Sequence, residues 1–388
     1  MYTLTKEEWL AQYEGKLSER DLALMDRAHD VIAENTLDRE NMPWGNTPAI
    51  SPWLGCPGLW NWDTVFHGMT VSRYDSVLSQ NSIDCFAMFQ CENGMMPDVI
   101  TLRGHLADNA GKPPVFPWGI LTMYKRTGDN EFLRRNYDRS VKYEAFLTRE
   151  RYDGVMFYYS AQYDIEKDDY ESARYESGWD NSPRWDRWPI MELHPIDLNC
   201  YMILFYRSMS EMAEILGEDA SVSAAWKEKE LSLTKIVEEN LYDESIGAYV
   251  DRNRKTGEFS TVLSPASFMP LFIGTAPKDR AESMHRLARD TYKFYPGMPS
   301  VAYDDPGHDK DYWRGLTWLN VAYFAVKGLY DYGYKDTARE IKEFLLDMIY
   351  EYLPNIHENY DSLTRSACGN DHFSWSSCFV IEFILEIK

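Results

Sequence analysis

The segment "DLNCYMILFYRSMSEMAEILG", residues 197–217, carries apolar side chains on most of its helical faces and stops at a glycine. A helix that is apolar all round is buried, whereas a surface helix shows one apolar stripe. Residues 18–36, "SERDLALMDRAHDVIAENT", show the striped pattern behind a Ser18 cap. The sequence therefore predicts two kinds of helix, buried inner ones and amphipathic outer ones.

Helical periodicity recurs along the rest of the chain. The further candidate helices lie at about 62–73, 75–90, 114–127, 130–149, 219–241, 263–273, 276–291, 313–332, 335–352 and 373–387. Strand signals are confined to 154–161 and 247–259, which we interpret as small β-hairpins inserted between helices. No linker of biased composition and no fixed repeat period divides the chain. We expect an all-α protein with one domain over residues 1–388.

About twelve helices of alternating burial predict a toroid of six helical hairpins. Short turns then lie at one end, and long aromatic loops gather at the other end, where a pocket can form. The long loops are 40–63, 91–114, 151–196, 292–314 and 353–373. Segment 151–175, rich in tyrosine and acidic residues, is a candidate lid over that pocket.

Composition limits the partners. The 62 acidic and 40 basic residues give a formal charge of -22, which repels nucleic-acid phosphates and anionic membranes. The N-terminal residues have charges where a signal peptide needs an apolar run, and no stretch is long enough for a membrane span, so we expect a cytoplasmic protein. Six scattered cysteines lack metal-ligand spacing, and we expect neither a metal nor a cofactor. The sequence allows homo-oligomers but does not reveal the oligomeric state.

The aromatic content is high, at 15%, with 13 Trp and 27 Tyr. Many of the tryptophans lie in the predicted loops beside carboxylates. A single Trp usually fills a core, but an indole also stacks on the apolar face of a sugar whose hydroxyls bond to charged groups. The pattern is typical of sugar recognition without proving it.

Two segments place aromatic or charged side chains at the start of predicted helices. In "GLWNWDTVFHGM", residues 58–69, Asp63 follows Trp60 and Trp62. Asp63 is either a helix cap or a ligand for sugar hydroxyls between two indoles. In "GKPPVFPWG", residues 111–119, Lys112 is either solvated or directs a cation into the loop face.

The segment "RYESGWDNSPRWD", residues 174–186, is too polar for a core element and too aromatic for an ordinary loop. Gly178 permits a tight backbone path, and Asp180 follows Trp179. A carboxyl group beside apolar indole has its charged form disfavoured, so it can remain a proton donor near neutral pH. Asp180 is therefore a candidate general acid, and Tyr175 is a candidate sugar contact in the same segment.

Two later segments supply the remaining candidate site residues. "DYWRGLTWLN", residues 311–320, places Tyr312, Arg314 and Trp318 before and within the first turns of a predicted helix. "NIHENYDSLTRSACGNDHFSWSS", residues 355–377, offers Glu358 in a polar loop, where a carboxylate stays ionised and can activate water as a base.

Five stretches of the chain resemble, in order, the signature segments of glycoside hydrolase family 63, particularly its compact bacterial mannosylglycerate and glucosylglycerate hydrolases. They are "KPPVFPWG", "ESGWDNSPRWD", "HPIDLN", "GMPSVAYDDPGHDKDYWRGLTW" and "HENYDSLTR…FSWSS". The resemblance runs from about Trp60 to Trp375, and there is a looser kinship with family 37 trehalases. It implies an (α/α)6 barrel.

The resemblance also implies an inverting α-glycosidase that acts on a small soluble α-glucoside or α-mannoside. It makes Asp180 the general acid and Glu358 the general base, with the two carboxyl groups roughly 6.5 to 9.5 Å apart to leave room for water. The other positions expected to contact substrate are Trp60, Trp62, Asp63, Lys112, Tyr175, Gly178, Trp179, Tyr312, Arg314, Gly315, Trp318, His372 and Trp375. Arg314 is equally suited to holding neighbouring acids in place.

Two positions depart from the family pattern. Lys112 stands where the glycerate-glycoside hydrolases have a glutamine, and His372 is closest to a second family glutamine. Added positive charge near the sugar suits an acidic or phosphorylated substrate, but the same groups can instead pair with Asp63 or another acid. The identity of the sugar is left open.

Two other classes of function use the same fold. Sugar epimerases and isomerases transfer protons through histidine pairs, and this chain offers His67, His105, His194, His308, His357 and His372. The other is an inactive sugar-binding protein. Its weakness is that such a protein has no need for both Asp180 and Glu358.

Overall fold

The computed structural model describes residues 1–161 and 170–388. Within these residues the helices are α1 Lys6–Ala11, α2 Glu19–Glu34, α3 Asn61–Val71, α4 Ser76–Ala87, α5 Phe116–Thr127, α6 Asn130–Glu150, α7 Tyr170–Ser177, α8 Ile196–Ile215, α9 Ala220–Asn240, α10 Met269–Phe272, α11 Lys278–Ala288, α12 Leu319–Asp331, α13 Lys335–Tyr350 and α14 Ser374–Glu386. The strands are β1 Thr36–Leu37, β2 Ala49–Ile50, β3 Gly58–Trp60, β4 Val99–Thr101, β5 Leu106–Ala107, β6 Leu193–His194, β7 Tyr242–Asp243, β8 Ala248–Tyr249, β9 Arg252–Asn253, β10 Asn359–Asp361 and β11 Ser366–Cys368.

Six inner elements form a closed ring. Helices α3, α5, α8, α10, α12 and α14 each pack on the next, and α14 returns to α3. A 3-10 turn, Pro265–Phe268, leads into α10 and packs with it against α12. The remaining long helices pack outside this ring, with α4 on α3, α9 on α8 and α13 on α12. The arrangement is an (α/α)6 barrel, as the sequence predicted.

Burial follows the two predicted kinds of helix. Every residue of α3 is buried, and α8 is buried over most of its length. Outer helix α6 instead buries one face, with Phe132, Leu133 and Phe146 among its buried residues. Burial of apolar surface at about 25 cal/mol per Å² supplies the main stabilisation of such a barrel. The inner helices therefore form the core.

The sheets are small and antiparallel. β3, β4 and β5 form a three-stranded sheet, with Trp60 paired to Val99, and the others are two-stranded. The predicted hairpin at 247–259 is present only in part: Arg252 bridges to Phe259, whereas β8 and β9 pair with β7 and β6 outside the segment. A short hairpin is also present near the predicted segment 154–161, but it is shifted toward the N-terminus, since Phe157 bridges back to Tyr152.

Four of the helices differ from the predictions. α1 and α7 were not predicted. The predicted helix 263–273 is a 3-10 turn and the four-residue α10, because proline removes an N–H donor at Pro265 and Pro270. The predicted helix 313–332 begins only at Leu319. No helix of the described residues is long and apolar enough to cross a membrane.

The candidate lid, 151–175, falls partly on residues 162–169, which lie outside the described residues. In the described part, Arg151 forms a buried ion pair with Glu176 at 2.9 Å. Glu176 also accepts a hydrogen bond from the backbone N–H of Ser160 at 2.7 Å. The ends of this segment are therefore anchored, and movement of a lid stays a prediction.

Candidate active site

A cavity of about 260 Å³ opens at one end of the barrel, where helices α3, α12 and α14 begin. Pockets for drug-sized ligands usually have volumes of ~300–1,000 Å³, so this cavity, just below that range, suits a small molecule. Each of the five predicted long loops contributes to its wall. The lining residues are Pro52, Trp53, Cys56, Trp60, Trp62, Asp63, Lys112, Gly178, Asp180, Tyr312, Trp313, Trp318, Glu358, Asn370, Phe373 and Trp375.

Asp180 lies on a loop that passes close to an indole. Gly178 has φ +72°, and a Cβ at this position would lie 2.6 Å from the ring of Trp62. Glycine is needed here for both its left-handed backbone and its lack of a side chain. The loop therefore passes against Trp62, and Asp180, two residues further on, lines the same cavity.

A buried arginine supports this loop from beneath. Arg184 donates hydrogen bonds to Asp197 and Asp251, each at 2.8 Å. Its guanidinium also lies over the rings of Trp179 and Trp185, 5.0 and 4.5 Å from their centroids. Both acids and the arginine are almost fully buried. The side chain of Trp179 thus packs under the Asp180 loop and is not part of the cavity wall.

Asn181 joins the Asp180 loop to the loop that precedes α12. Its Oδ1 accepts a hydrogen bond from the backbone N–H of Trp313 at 2.9 Å, and its Nδ2 donates to Asp311 Oδ2 at 3.0 Å. A side-chain amide that uses both its donor and its acceptor fixes two loop segments relative to each other. The two loops therefore form one unit around the cavity.

Indoles form much of the wall. Trp313 and Trp318 stack with centroids 4.0 Å apart and planes inclined by 3°. Trp62 and Trp375 meet edge to face at 5.3 Å. Tyr312, which precedes this stack, has φ +52°, a left-handed conformation that is unfavourable for a bulky residue. Strain of this kind is concentrated at functional sites.

Glu358 is buried and held by one neighbour. Its Oε2 accepts hydrogen bonds from the backbone N–H of Asn370 at 3.1 Å and from Asn370 Nδ2 at 2.8 Å. Its own N–H donates to the Asn370 carbonyl at 2.8 Å. A Cβ at Gly369 would lie 2.7 Å from the same Oε2. Among the described contacts Oε1 receives no hydrogen bond, so one oxygen of the carboxylate is positioned and the other remains for a ligand or water.

Burial raises the pKa of both carboxyl groups. For Asp180, the Lys112 charge and the hydrogen-bonding hydroxyl of Tyr312 oppose the rise in pKa. For Glu358, the hydrogen bonds from Asn370 oppose the rise, and the charge of Asp180 adds to it. The charge of Asp180 thus acts on Glu358, and no hydrogen bond joins the two groups among the described contacts.

Two further acids share the region. Burial raises the pKa of Asp63 to about 8, against the opposing charge of Lys112. Burial raises the pKa of Asp98 to about 6, again opposed by Lys112, whose Nζ lies 3.3 Å from Asp98 Oδ1. Burial alone would lower the pKa of Lys112, but Asp98, Asp180 and Asp63 together raise it. The charge of one buried lysine therefore stabilises the ionised forms of several carboxyl groups.

The structure places most of the predicted site residues around the cavity. Those that line it are Trp60, Trp62, Asp63, Lys112, Gly178, Asp180, Tyr312, Trp318, Glu358 and Trp375. Asp63 lies at the third position of α3, whose N-cap is Trp60, so it is not the helix cap. Tyr312 and Trp318 precede α12 and do not lie within its first turns.

Five predicted positions lie outside the lining. Tyr175 offers its backbone carbonyl to Lys112 Nζ. Arg314 pairs with Asp186 at 2.7 Å and Asp309 at 3.1 Å, the alternative role considered for it. The others are Trp179, under the Asp180 loop, Gly315, whose Cβ position faces His308 at 2.6 Å, and His372, which lies 3.5 Å from Asp371.

Sequence reasoning missed Asn370 and Asp98. Asn370 holds Glu358, but its twelve-residue separation from Glu358 carries no local signal. Asp98 pairs with Lys112 from the strand entry at β4, also without a motif. Only the fold brings these pairs together.

The candidate histidines do not line the cavity. His67 is fully buried on α3, its Nε2 lies 2.7 Å from Ser374 Oγ, and burial lowers its pKa to about 3. His194 pairs with Asp153 at 2.7 Å. The remaining four, His105, His308, His357 and His372, are also absent from the lining. The described residues therefore give no histidine pair for proton transfer on a sugar.

Comparison with known proteins agrees with this geometry. A family model described as the mannosylglycerate hydrolase MGH1-like glycoside hydrolase domain matches residues 56–376. A mannosylglycerate hydrolase from Rubrobacter radiotolerans is 23% identical over 450 residues, covering 93% of this chain and 98% of the relative.

Two solved structures share the fold. The family 63 mannosylglycerate hydrolase from Thermus thermophilus, in complex with glucose, superposes with a TM-score of 0.75 at 22% identity, covering 92% of this chain and 99% of that one. The neutral trehalase from Saccharomyces cerevisiae gives a TM-score of 0.72 at 17% identity, covering 93% and 80%.

Proposed function

The chain belongs to the mannosylglycerate hydrolase MGH1-like glycoside hydrolases, and from that premise we propose that it is an inverting α-glycosidase acting on a small soluble α-glucoside or α-mannoside. It is a glycoside hydrolase by family. The proposal concerns its stereochemistry, its substrate and the residues that act. The observation that carries it is that Asp180 and Glu358, far apart in sequence, line one indole-walled cavity.

Asp180 is the proposed general acid. Burial raises its pKa, which is the direction of shift that a general acid needs to hold its proton. Its Oδ1 is buried without a hydrogen-bond partner among the described residues, so it is free to meet a glycosidic oxygen. When the bond breaks, the proton passes to the departing oxygen, and the nearby charge of Lys112 stabilises the carboxylate that remains.

Glu358 is the proposed general base. Asn370 holds its Oε2, so the carboxylate has a fixed orientation while Oε1 remains for water. Glu358 takes a proton from that water as its oxygen attacks the anomeric carbon from the face opposite to the departing group. This geometry requires carboxyl groups roughly 6.5 to 9.5 Å apart and reverses the anomeric configuration.

The indoles and Asp63 are proposed to bind the sugar. Trp60, Trp62 and Trp375 present apolar faces, on which the C–H face of a pyranose packs. Asp63, with its raised pKa, offers both a donor and an acceptor to sugar hydroxyls. A cytoplasmic location and a lack of cofactor remain predictions from the sequence. No observation favours an epimerase or an inactive binding protein.

Substitution of the two carboxyl groups tests this assignment. Asp180→Asn and Glu358→Gln should each lower kcat at least ~100-fold, because general acid and base catalysis contribute ~10²–10⁴-fold. Circular dichroism should be unchanged. The activity is measured on a panel of α-glucosides and α-mannosides.

Matched controls carry the same chemical change outside the cavity. Asp186→Asn alters an exposed acid of the same segment, and Glu351→Gln alters an exposed acid before the Glu358 loop. Both should retain activity. Wild-type turnover in Asp180→Asn and Glu358→Gln would refute the assigned roles.

A further inference from the structure

Lys112 is the one lysine or arginine among the described residues that line the cavity. Its Nζ donates a hydrogen bond to the backbone carbonyl of Tyr175, in the last turn of α7, and lies 3.3 Å from Asp98 Oδ1. Carbonyls in the last turn of a helix favour a nearby cation. Asp98 Oδ1 has no other hydrogen-bond partner among the described residues. The ammonium is therefore held between the end of a helix and one buried carboxyl group.

Backbone hydrogen bonds fix the place of Asp98. Its N–H donates to the Ala107 carbonyl at 2.9 Å, and its carbonyl accepts from the N–H of Asn61 at 2.9 Å. Asn61 is the first residue of α3, and its side-chain amide donates to the Pro97 carbonyl at 2.8 Å. Asp98 is thus tied to the start of the helix that carries Asp63. Because it is buried and does not line the cavity, Asp98 can affect the reaction only through its neighbours.

Lys112 and Asp180 line the same cavity without bonding to each other. No hydrogen bond or ion pair joins them among the described contacts, and Asp180 Oδ1 is buried without a partner there. A cation within ~4–6 Å of a carboxyl group lowers its pKa by about 1–3, because it favours the ionised form. An ionised Asp180 has no proton to give to a glycosidic oxygen. A lysine that pairs with Asp98 instead leaves more of that proton on Asp180.

Resting on the general-acid role proposed above for Asp180, we propose that Asp98 is a positioning residue for that acid, because it holds the Lys112 ammonium against α7 and away from Asp180. The lysine then stabilises the carboxylate that forms as the glycosidic bond breaks, without ionising the acid beforehand. Burial raises the pKa of Asp98 to about 6, so this group is ionised at neutral pH and can hold a cation. The pKa of Asp63 is raised to about 8, so Asp63 is less suited to that role.

Four more titratable groups interact with the lysine and the two acids, each from a different element. They are Asp63 in α3, Glu176 in α7, Tyr312 before α12 and Glu358 directly before β10. Glu176 is paired with Arg151 at 2.9 Å. The charge of Asp98 also raises the pKa of Asp63. A shift in the pH profile alone therefore does not identify Asp180, and its carboxyl group has to be observed directly.

Asp98→Asn removes the anchor of the lysine and keeps the shape of the side chain. The released ammonium should bond to Asp180, so the Asp180 pKa should fall and the high-pH limb of kcat/KM should move down by ~0.5 pH unit or more. The Asp180 pKa is measured by 13C NMR of protein labelled at its aspartate carboxyl carbons, with the signal assigned by its loss in Asp180→Asn. Asp98→Glu keeps the charge and should keep the limb. Asp108→Asn makes the same change just after β5 and should leave both measurements unchanged.

A second background tests whether Asp98 acts through the lysine. In Lys112→Met, Asp98 has no cation beside it and should take up a proton itself. Adding Asp98→Asn then changes no charge, so the limb should stay where Lys112→Met places it. A shift as large as that in the wild-type background would overturn the inference.

The NMR titration separates this inference from the hydrolytic mechanism. An Asp180 pKa that stays or rises in Asp98→Asn overturns the inference, even if the protein hydrolyses glycosides as proposed. A fall in that pKa supports the inference even if Asp180→Asn keeps full turnover, and such turnover would count against the proposed general acid alone. In the wild type, the Asp98 signal, assigned by its loss in Asp98→Glu, should titrate below neutral pH. An Asp98 still protonated at neutral pH could not hold the ammonium, which would overturn the inference even if Asp98→Asn failed to fold.

Discussion

Lys112 shows how one buried side chain sets the behaviour of several others. Its ammonium lies 3.3 Å from Asp98 Oδ1 and opposes the rise that burial causes in the pKa of Asp98, Asp63 and Asp180. A lysine interacts as a compact charge with several acids at once, which a neutral glutamine at this position does not do. We therefore expect Lys112 to control the ionisation of the cavity.

Replacement of Lys112 should shift the pH profile. In Lys112→Met the Asp180 pKa loses its main opposing charge and rises further. Because the general acid works only when protonated, the high-pH limb of kcat/KM should move upward by on the order of one pH unit. The measurement is kcat/KM against pH. Lys112→Arg keeps the charge and should keep the limb in place, and an unmoved limb in the methionine variant would argue against this role.

For single residues, the sequence predicted those site residues that stand in segments of unusual composition. Trp60, Trp62 and Asp180 stand in segments whose composition is unusual, and all three line the cavity. Asn370 gave no such signal, since its role depends on a hydrogen bond to Glu358 that only the folded chain creates. The sequence also left open whether Lys112 is solvated or directed into the loop face. The structure decides this, because Lys112 is buried and pairs with Asp98.

The β10–β11 hairpin is the element that presents Glu358. Asn359 pairs with Cys368, and Tyr360 is bridged to Thr317 in the loop before α12. The chain then turns at Gly369, φ +66°, directly behind the Glu358 carboxylate. The hairpin thus connects the proposed base to the loop that carries Tyr312.

A methyl group at Gly369 should separate stability from catalysis. Gly369→Ala places a Cβ 2.7 Å from Glu358 Oε2, so we expect kcat/KM to fall about tenfold or more, since small misplacements cost catalysis heavily. Gly217→Ala has nearly the same backbone angle, φ +69°, with nothing within 4 Å. Each variant should lose about 1 kcal/mol of unfolding free energy from left-handed backbone strain.

Denaturant unfolding and steady-state kinetics check the pair together. The expected result is destabilisation of both variants, larger in Gly369→Ala because its Cβ also lies 2.8 Å from Glu358 Cβ, with a catalytic defect confined to that variant. Equal activity in both variants would show that the position of Glu358 tolerates the added methyl group.

Where a helix begins and ends was harder to predict than whether the helix is present. The predicted helix at 313–332 exists, but it begins only at Leu319, because the positive φ of Gly315 interrupts the first part of the segment. The eight-residue α7 was missed because it is short and polar, in a segment interpreted as a lid. Local periodicity does not record such backbone exceptions.

The whole molecule is a ring that closes through its last helix. α14 packs on α12 and α3, and its residue Trp375 lines the cavity. The apolar character of α8 predicted an inner layer from sequence alone. Which helix meets which, and hence the closure of α14 on α3, depends on contacts between distant segments and was not readable from periodicity.

A closed ring with a continuous core should unfold as one unit. We expect a single transition in guanidinium chloride, with tryptophan fluorescence and far-UV circular dichroism giving the same midpoint. Coincident curves would support one domain over residues 1–388. Two separated transitions would instead indicate independent units and contradict that expectation.

The most direct test of the proposed mechanism is the configuration of the first sugar released. The wild-type protein is incubated with the α-glucoside or α-mannoside that it cleaves fastest, and the anomeric proton is followed by 1H NMR before mutarotation equilibrates the product. Water activated by Glu358 opposite a bond protonated by Asp180 must yield the β-anomer first. Initial release of the α-anomer would contradict the mechanism.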